Sequence, residues 1–218
     1  RIGPEIKLGV VDLSFTNASL FMAISALTIL LLLFFGTKKK LLIPSKLQLV
    51  TEMSYTFIAK MINNTAGSNA KAFFPFIFTL FMFVLFCNMV GMLPYSFTVT
   101  SHIIVTFALA ASIFIGVTII GFIKHGIKYL ELFIPKGVPF YILPLIVVIE
   151  IISYLSRPVS LSVRLFANMM AGHTMLKVFG GFVISLGLLG GWLPLGFSVA
   201  LTGLEILIAF LQAYVFAI

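Results

Sequence analysis

Arg164 stands in the stretch RPVSLSVRLFANMMAGH, residues 157–173, with Ser160, Asn168 and His173 close by. A guanidinium keeps its proton in any protein setting. In lipid it costs about 2.5–3.5 kcal/mol even on the lenient insertion scale, so it is expected to face a partner or water. His173 can exchange a proton near neutral pH. A carboxyl group such as Glu205, withdrawn from water, can hold a proton in the same range. Glu150 and Gln212 complete the set of chemically active side chains in the apolar C-terminal half. The chemistry open to them is holding, moving or repelling protons.

On a helical wheel at about 100° per residue, Glu150, Arg157, Ser160 and Asn168 all fall within about 40° of Arg164. His173 falls near 180°, on the opposite side, and Lys177 also points away. Glu205 and Gln212 are seven residues apart and share a face of a later helix. Along one helix, Glu150 would lie about 21 Å from Arg164 on one side and His173 about 13 Å on the other. Two water-accessible half-paths, offset and separated by a fixed positive charge, follow as a physical reading. No acid lies beside Arg164 on its stripe, so the carboxyl group it acts on is expected to come from a partner. At about 4 Å and an effective dielectric near 20, the attraction is about 4 kcal/mol, equivalent to roughly three pKa units.

The elements that position these residues are membrane helices. Of the 218 residues, 61 % are apolar and 9 % charged, and the mean hydropathy is +1.21. A water-soluble domain of this size needs far more polar surface. Apolar runs of about 20 residues exclude the alternating ten-residue segments of a β-barrel. The fold class is therefore an all-α integral membrane protein. Its predicted elements form a single membrane domain over 1–218: a span at 19–36, a surface amphipathic helix at 44–64, and spans at 72–93 and 103–123. A long tilted helix at 140–189 and a second tilted helix at 195–218 follow.

Lys38, Lys39 and Lys40 follow the first span, and Lys124, Lys128 and Lys136 follow the third. Both groups fall on one side if the second and third spans cross in turn, as the positive-inside rule requires. The net charge of +8 thus reads as topology, and a nucleic-acid role is excluded because no separate basic face exists. Pro135 and Pro139 close the basic loop. Cys87 is the only cysteine, so no internal disulfide forms, and it reads as a packing residue. A helix of about fifty residues would extend about 75 Å, far beyond a bilayer core of about 30 Å. Pro158 is a candidate kink and Gly180-Gly181 a candidate weak point. Gly190 to Pro194 reads as a turn.

The run SRPVSLSVRLFANMMAGH, with GLEILIAFLQAY downstream, resembles the a subunits of F-type ATP synthases. The segments FCNMVGMLPYSFTVTSH, FIPKGVP and LPLIVVIEIISYLSRP carry the same likeness, which extends from about Val11 to Ile218. The resemblance implies a membrane stator that conducts protons past a rotating ring of c subunits, each with an essential carboxyl group. It implies further stator partners including the peripheral stalk, no nucleotide site, no cofactor and no catalysis by this chain alone. Residue by residue, Arg164 matches the essential arginine, with Ser160, Asn168 and Gln212 as polar neighbours. His173 and Glu205 match the pair lining the inlet, and Glu150 an acid on the opposite half-channel. The order of His before Glu resembles the mitochondrial and α-proteobacterial lineage, and the mitochondrial inner membrane is the expected location, with the bacterial plasma membrane as alternative. The chain ends at AYVFAI, where the family continues further, and begins at Arg1, which reads as processing or an absent leader.

The bland alternatives are specific. Arg164 can pair within the chain, His173 can be a satisfied core histidine, and Glu150 can pair with Arg157. Lys177 reads as snorkelling to the interface, Asn88 as bonding inside the bundle, and Tyr154, Tyr214 and His102 as packing residues. The functional rival is a self-contained transporter in which Arg164 binds an anionic substrate.

Overall fold

The computed structural model describes residues 7–8, 11–12, 16–38, 44–67, 72–93, 98–126, 129–130 and 141–218. Lys39, Lys40, Lys128, Pro135, Lys136, Pro139 and residues 94–97 lie outside them. Six helices account for nearly all described residues: α1 Asn17–Lys38, α2 Lys46–Ala66, α3 Phe74–Gly91, α4 Ile103–His125, α5 Leu143–Gly190 and α6 Trp192–Ala217. The fold is all-α, with one addition that periodicity did not indicate. Two two-residue strands, β1 Lys7–Leu8 and β2 Val11–Asp12, pair antiparallel near the N-terminus.

Among the described residues, five helices are long and apolar enough to cross a membrane, namely α1, α3, α4, α5 and α6. Their outward surfaces match that role. Leu30, Phe34, Ile104, Ile123, Ile152 and Ile184 are all exposed, which lipid tolerates and water does not. The exception is α2, which carries Lys46, Gln48, Glu52 and Lys60. Ser45 caps it, accepting from the Gln48 amide at 3.4 Å.

The chain falls into two compact units, Arg1–Thr100 with Met169–Ile218, and Ser101–Asn168. In the first, α3 packs against α6, α1 and α2, and α1 also packs against α2. The buried residues Gln48, Thr51, Ile58, Met61 and Ile62 make the inward face of α2. Phe57 ties three helices together, with ring centroids 5.9 Å from Phe81 on α3, and 5.5 Å and 6.0 Å from Phe210 and Tyr214 on α6. Cys87 is buried, as a packing residue should be. Asn88 is fully buried and its amide donates to the Ala209 carbonyl on α6 at 3.4 Å.

In the second unit, α4 and the first part of α5 are joined by hydroxyl contacts. Ser162 and Thr106 meet at 3.3 Å, both buried. The Tyr154 hydroxyl lies 2.7 Å from Thr118 and 2.8 Å from the Tyr129 hydroxyl. Phe114 packs on the Tyr154 ring at 4.6 Å, and the Arg157 guanidinium lies over that ring at 5.7 Å.

The long helix breaks at a position that the sequence did not single out. Backbone dihedrals leave the helical region at Gly187, with φ 65° and ψ −162°, and not at Pro158 or Gly180-Gly181. A proline removes one amide hydrogen bond yet can keep helical dihedrals. The Gly187 conformation is essentially restricted to glycine. The turn expected at Gly190–Pro194 is shorter, because α6 already begins at Trp192 and Pro194 is accepted in its first turn.

Candidate functional site

The best-formed polar site lies in the first unit. His173 on α5 and Glu205 on α6 meet with Nδ1 and Oε1 2.9 Å apart. Glu205 is 5 % exposed, whereas His173 is half-buried. The residues buried on α6 are Pro194, Glu205, Ala209, Gln212, Ala213 and Phe216. Those spacings trace one helical face, so the acid is carried inward by the same stripe that packs the helix. A residue of any size at Gly172 would intrude on the carboxyl group, since a Cβ there would meet Oε1 at 2.7 Å and Cδ at 2.8 Å.

The other ring nitrogen of His173 is also engaged. Nε2 lies 2.9 Å from the Gly91 carbonyl oxygen and 2.8 Å from Thr98 Oγ1. Thr98 in turn donates to the Gly91 carbonyl at 3.1 Å. Gly91 is the last residue of α3, where the helix leaves its final carbonyls without intrahelical donors. Two side-chain oxygens nearby along the packed faces, Asn88 Oδ1 on α3 and Gln212 Oε1 on α6, are buried and accept no hydrogen bond among the described residues.

The remaining sequence candidates lie in the second unit. Arg164 and Ser160 are exposed, and Glu150 and Asn168 are half-buried. None of the four is hydrogen-bonded to another among the described residues, and Glu150 does not pair with Arg157. Ser162 and Leu165 are buried instead. With Ser162 fixed to Thr106, the face bearing Arg164 turns outward. Ser153, Arg157, Ser160, Arg164 and Ala167 are all exposed. Their alternating spacing of four and three residues makes a continuous stripe of small side chains interrupted by two arginines.

The profile of the family described as ATP synthase A chain matches residues 19–218. The chain belongs to this family. A protein of Pelagibacter ubique named ATP synthase subunit a is 78 % identical over 218 residues, covering 100 % of this chain and 89 % of that relative. Proteins of the same name from Chelativorans and Parvibaculum lavamentivorans are 58 % and 57 % identical over 219 residues, each covering 98 % of this chain and 88 % and 84 % of the relative. These sources are bacterial, so the expectation of a mitochondrial inner membrane finds no support and is corrected. What stands is a multi-pass membrane protein of the ATP synthase A chain family with α-proteobacterial relatives.

Three residues of this ATP synthase A chain member escaped the sequence reading. Thr98 sits in the quoted SFTVT segment, yet nothing in its spacing points to His173, 75 residues away. Ser162 differs from Ser160 only in facing α4, and Thr118 is one of several threonines inside apolar helices. A helical wheel gives direction around one axis and says nothing about which neighbouring helix lies there.

Proposed function

We propose that the chain is the proton-translocating subunit a of the F-type ATP synthase membrane sector, working in a bacterial plasma membrane. The observation that carries this reading is the buried Glu205 and His173 Nδ1 at 2.9 Å between two membrane-spanning helices. An acid and an imidazole at that distance share a proton, and lipid-embedded ionisable groups are retained for function. His173 and Glu205 line one half-path, and Glu150 belongs to the other. Asn168, Ser160 and Gln212 contribute uncharged polar groups along them.

Arg164 divides the two paths. Its stripe of Ser153, Ser160 and Ala167 lets a neighbouring helix approach closely, as small residues do at membrane helix contacts. The partner is a ring of c subunits, each bringing a carboxyl group to the guanidinium. Opposite charge stabilises the carboxylate, so the ring acid releases its proton beside Arg164. The permanent charge repels protons that would pass directly between the paths. The other partners are the remaining stator subunits including the peripheral stalk, and membrane lipids. The chain itself catalyses no reaction.

ATP-driven proton pumping by the assembled complex in vesicles tests the proposal, with Arg164→Ala and Arg164→Lys beside wild type. Both variants are expected to assemble and to lose pumping, because a buried lysine can shed its charge and lacks the planar fork. Normal pumping by either variant overturns the reading of Arg164. Transport by the chain alone, without a ring, favours the self-contained transporter.

A further inference from the structure

We propose that the Gly91 carbonyl and Thr98 lock His173 as the Nε2–H form, so that Nδ1, facing Glu205, is the only ring atom through which its proton is exchanged. The proposal rests on the reading of His173 and Glu205 as proton-handling residues and adds how they handle the proton. A relay histidine takes a proton at one ring nitrogen and releases one from the other. The surroundings of His173 forbid that route.

The argument is one of donors and acceptors. A carbonyl oxygen can only accept, so the 2.9 Å contact between Nε2 and Gly91 requires hydrogen on Nε2. Thr98 commits its own hydrogen to the same carbonyl at 3.1 Å. Toward Nε2, at 2.8 Å, it therefore presents a lone pair. A bare Nε2 would face the lone pairs of the Gly91 carbonyl at 2.9 Å, and Thr98 could donate to it only by giving up its own hydrogen bond to that carbonyl.

What remains is the Nδ1 side. When His173 is neutral, Nδ1 carries a lone pair, and the 2.9 Å contact is satisfied by a protonated Glu205 donating to it. When the proton crosses, the O–H bond of Glu205 breaks, an N–H bond forms at Nδ1, and an imidazolium faces a carboxylate. Both arrangements hold one shared proton and the same net charge. His173 acts as a terminal store coupled to Glu205, and onward transfer leaves from the carboxyl group. Thr98 is a positioning residue, and Gly91 has no side chain because a Cβ there would meet Thr98 Cγ2 at 2.7 Å.

The test is nitrogen NMR of the full chain carrying ¹⁵N-histidine, assembled with unlabelled partner subunits in lipid vesicles. Subtracting the spectrum of a His173→Gln complex isolates this ring. Wild type is expected to show hydrogen on Nε2 and no population with Nδ1–H and bare Nε2. Thr98→Val leaves the Gly91 carbonyl in place, so the Nε2–H form is expected to persist while pumping slows about tenfold, the scale of one lost hydrogen bond to a charged group. Thr98→Ser is expected to restore the rate. A bare Nε2 in the wild-type or the Thr98→Val ring overturns the lock. Undiminished pumping by His173→Gln would instead remove the proton-handling reading, and the tautomer spectrum separates the two failures.

Discussion

Gly172 is shaped by Glu205: a Cβ at residue 172 would stand 2.7 Å from Oε1 and 3.2 Å from Cγ of that side chain. The glycine precedes His173 in the chain, so space for the acid and placement of its imidazole partner come from adjacent residues of α5. The intruding atoms are the far end of a flexible side chain. A small substitution therefore displaces the carboxyl group more readily than it unfolds the helix pair.

Gly172→Ala is expected to leave the complex assembled and to lower ATP-driven proton pumping by about tenfold or more, because the hydrogen bond to His173 is lost. Glu205→Asp in the same background withdraws the carboxyl group by one methylene and should recover part of the rate. Wild-type pumping by Gly172→Ala alone would show that the carboxyl group does not need this position.

Tyr129, beyond the end of α4, gives a pH prediction. Its hydrogen bond with Tyr154 holds the phenol above its ordinary value of 10.0, and burial adds to the rise, while Arg157 opposes it. A raised folded-state value means the neutral phenol is the form the fold prefers. Its contribution to stability is complete below the unfolded value near 10 and is lost as pH rises through the folded value. Tyr154→Phe should bring the alkaline absorbance titration of Tyr129 down toward 10, and an unchanged titration would mean the two hydroxyls do not interact.

Ser162 and Thr106 offer a stability cycle away from the ionisable groups. Their 3.3 Å contact links α4 to α5 in a buried setting. Ser162→Ala and Thr106→Val, singly and together, should show a coupling of about 0.6 kcal/mol, the average for polar contacts between membrane helices. Thermal denaturation in detergent measures it. Strict additivity would reassign the orientation of the Arg164 face to packing alone.

Gly187 tests the break in α5. At φ 65° and ψ −162° an added methyl group is strained although nothing lies within 4 Å of its position. Gly187→Ala is expected to destabilise the fold by about 1–3 kcal/mol, seen as a lower midpoint of thermal denaturation. Gly180→Ala and Gly181→Ala keep helical dihedrals and should leave the midpoint unchanged or raise it. An equal loss at all three would contradict a break confined to Gly187.

Much of this protein was legible in its amino-acid string. Continuous apolar runs near 20 residues force helices in lipid, since no other open structure satisfies its own backbone there. The five helices of spanning length follow from that constraint, and so do the exposed leucines and isoleucines on their surfaces. Arg164, His173 and Glu205 announced themselves because charge in an apolar run is costly wherever it is placed. Gly187 did not, because a glycine's conformation depends on how the flanking helices are held, and five other glycines lie within ten residues of it. Tertiary structure alone decided the partners. It set Nδ1 of His173 on Glu205 and Nε2 on Gly91 and Thr98, joining three separate helical segments and a connection. It also chose which of Ser160 and Ser162 would be buried. Sequence periodicity reports the angle of a side chain about its own helix. The distance between two hydrogen-bonding atoms depends on how separate helices pack, and no single helix encodes that.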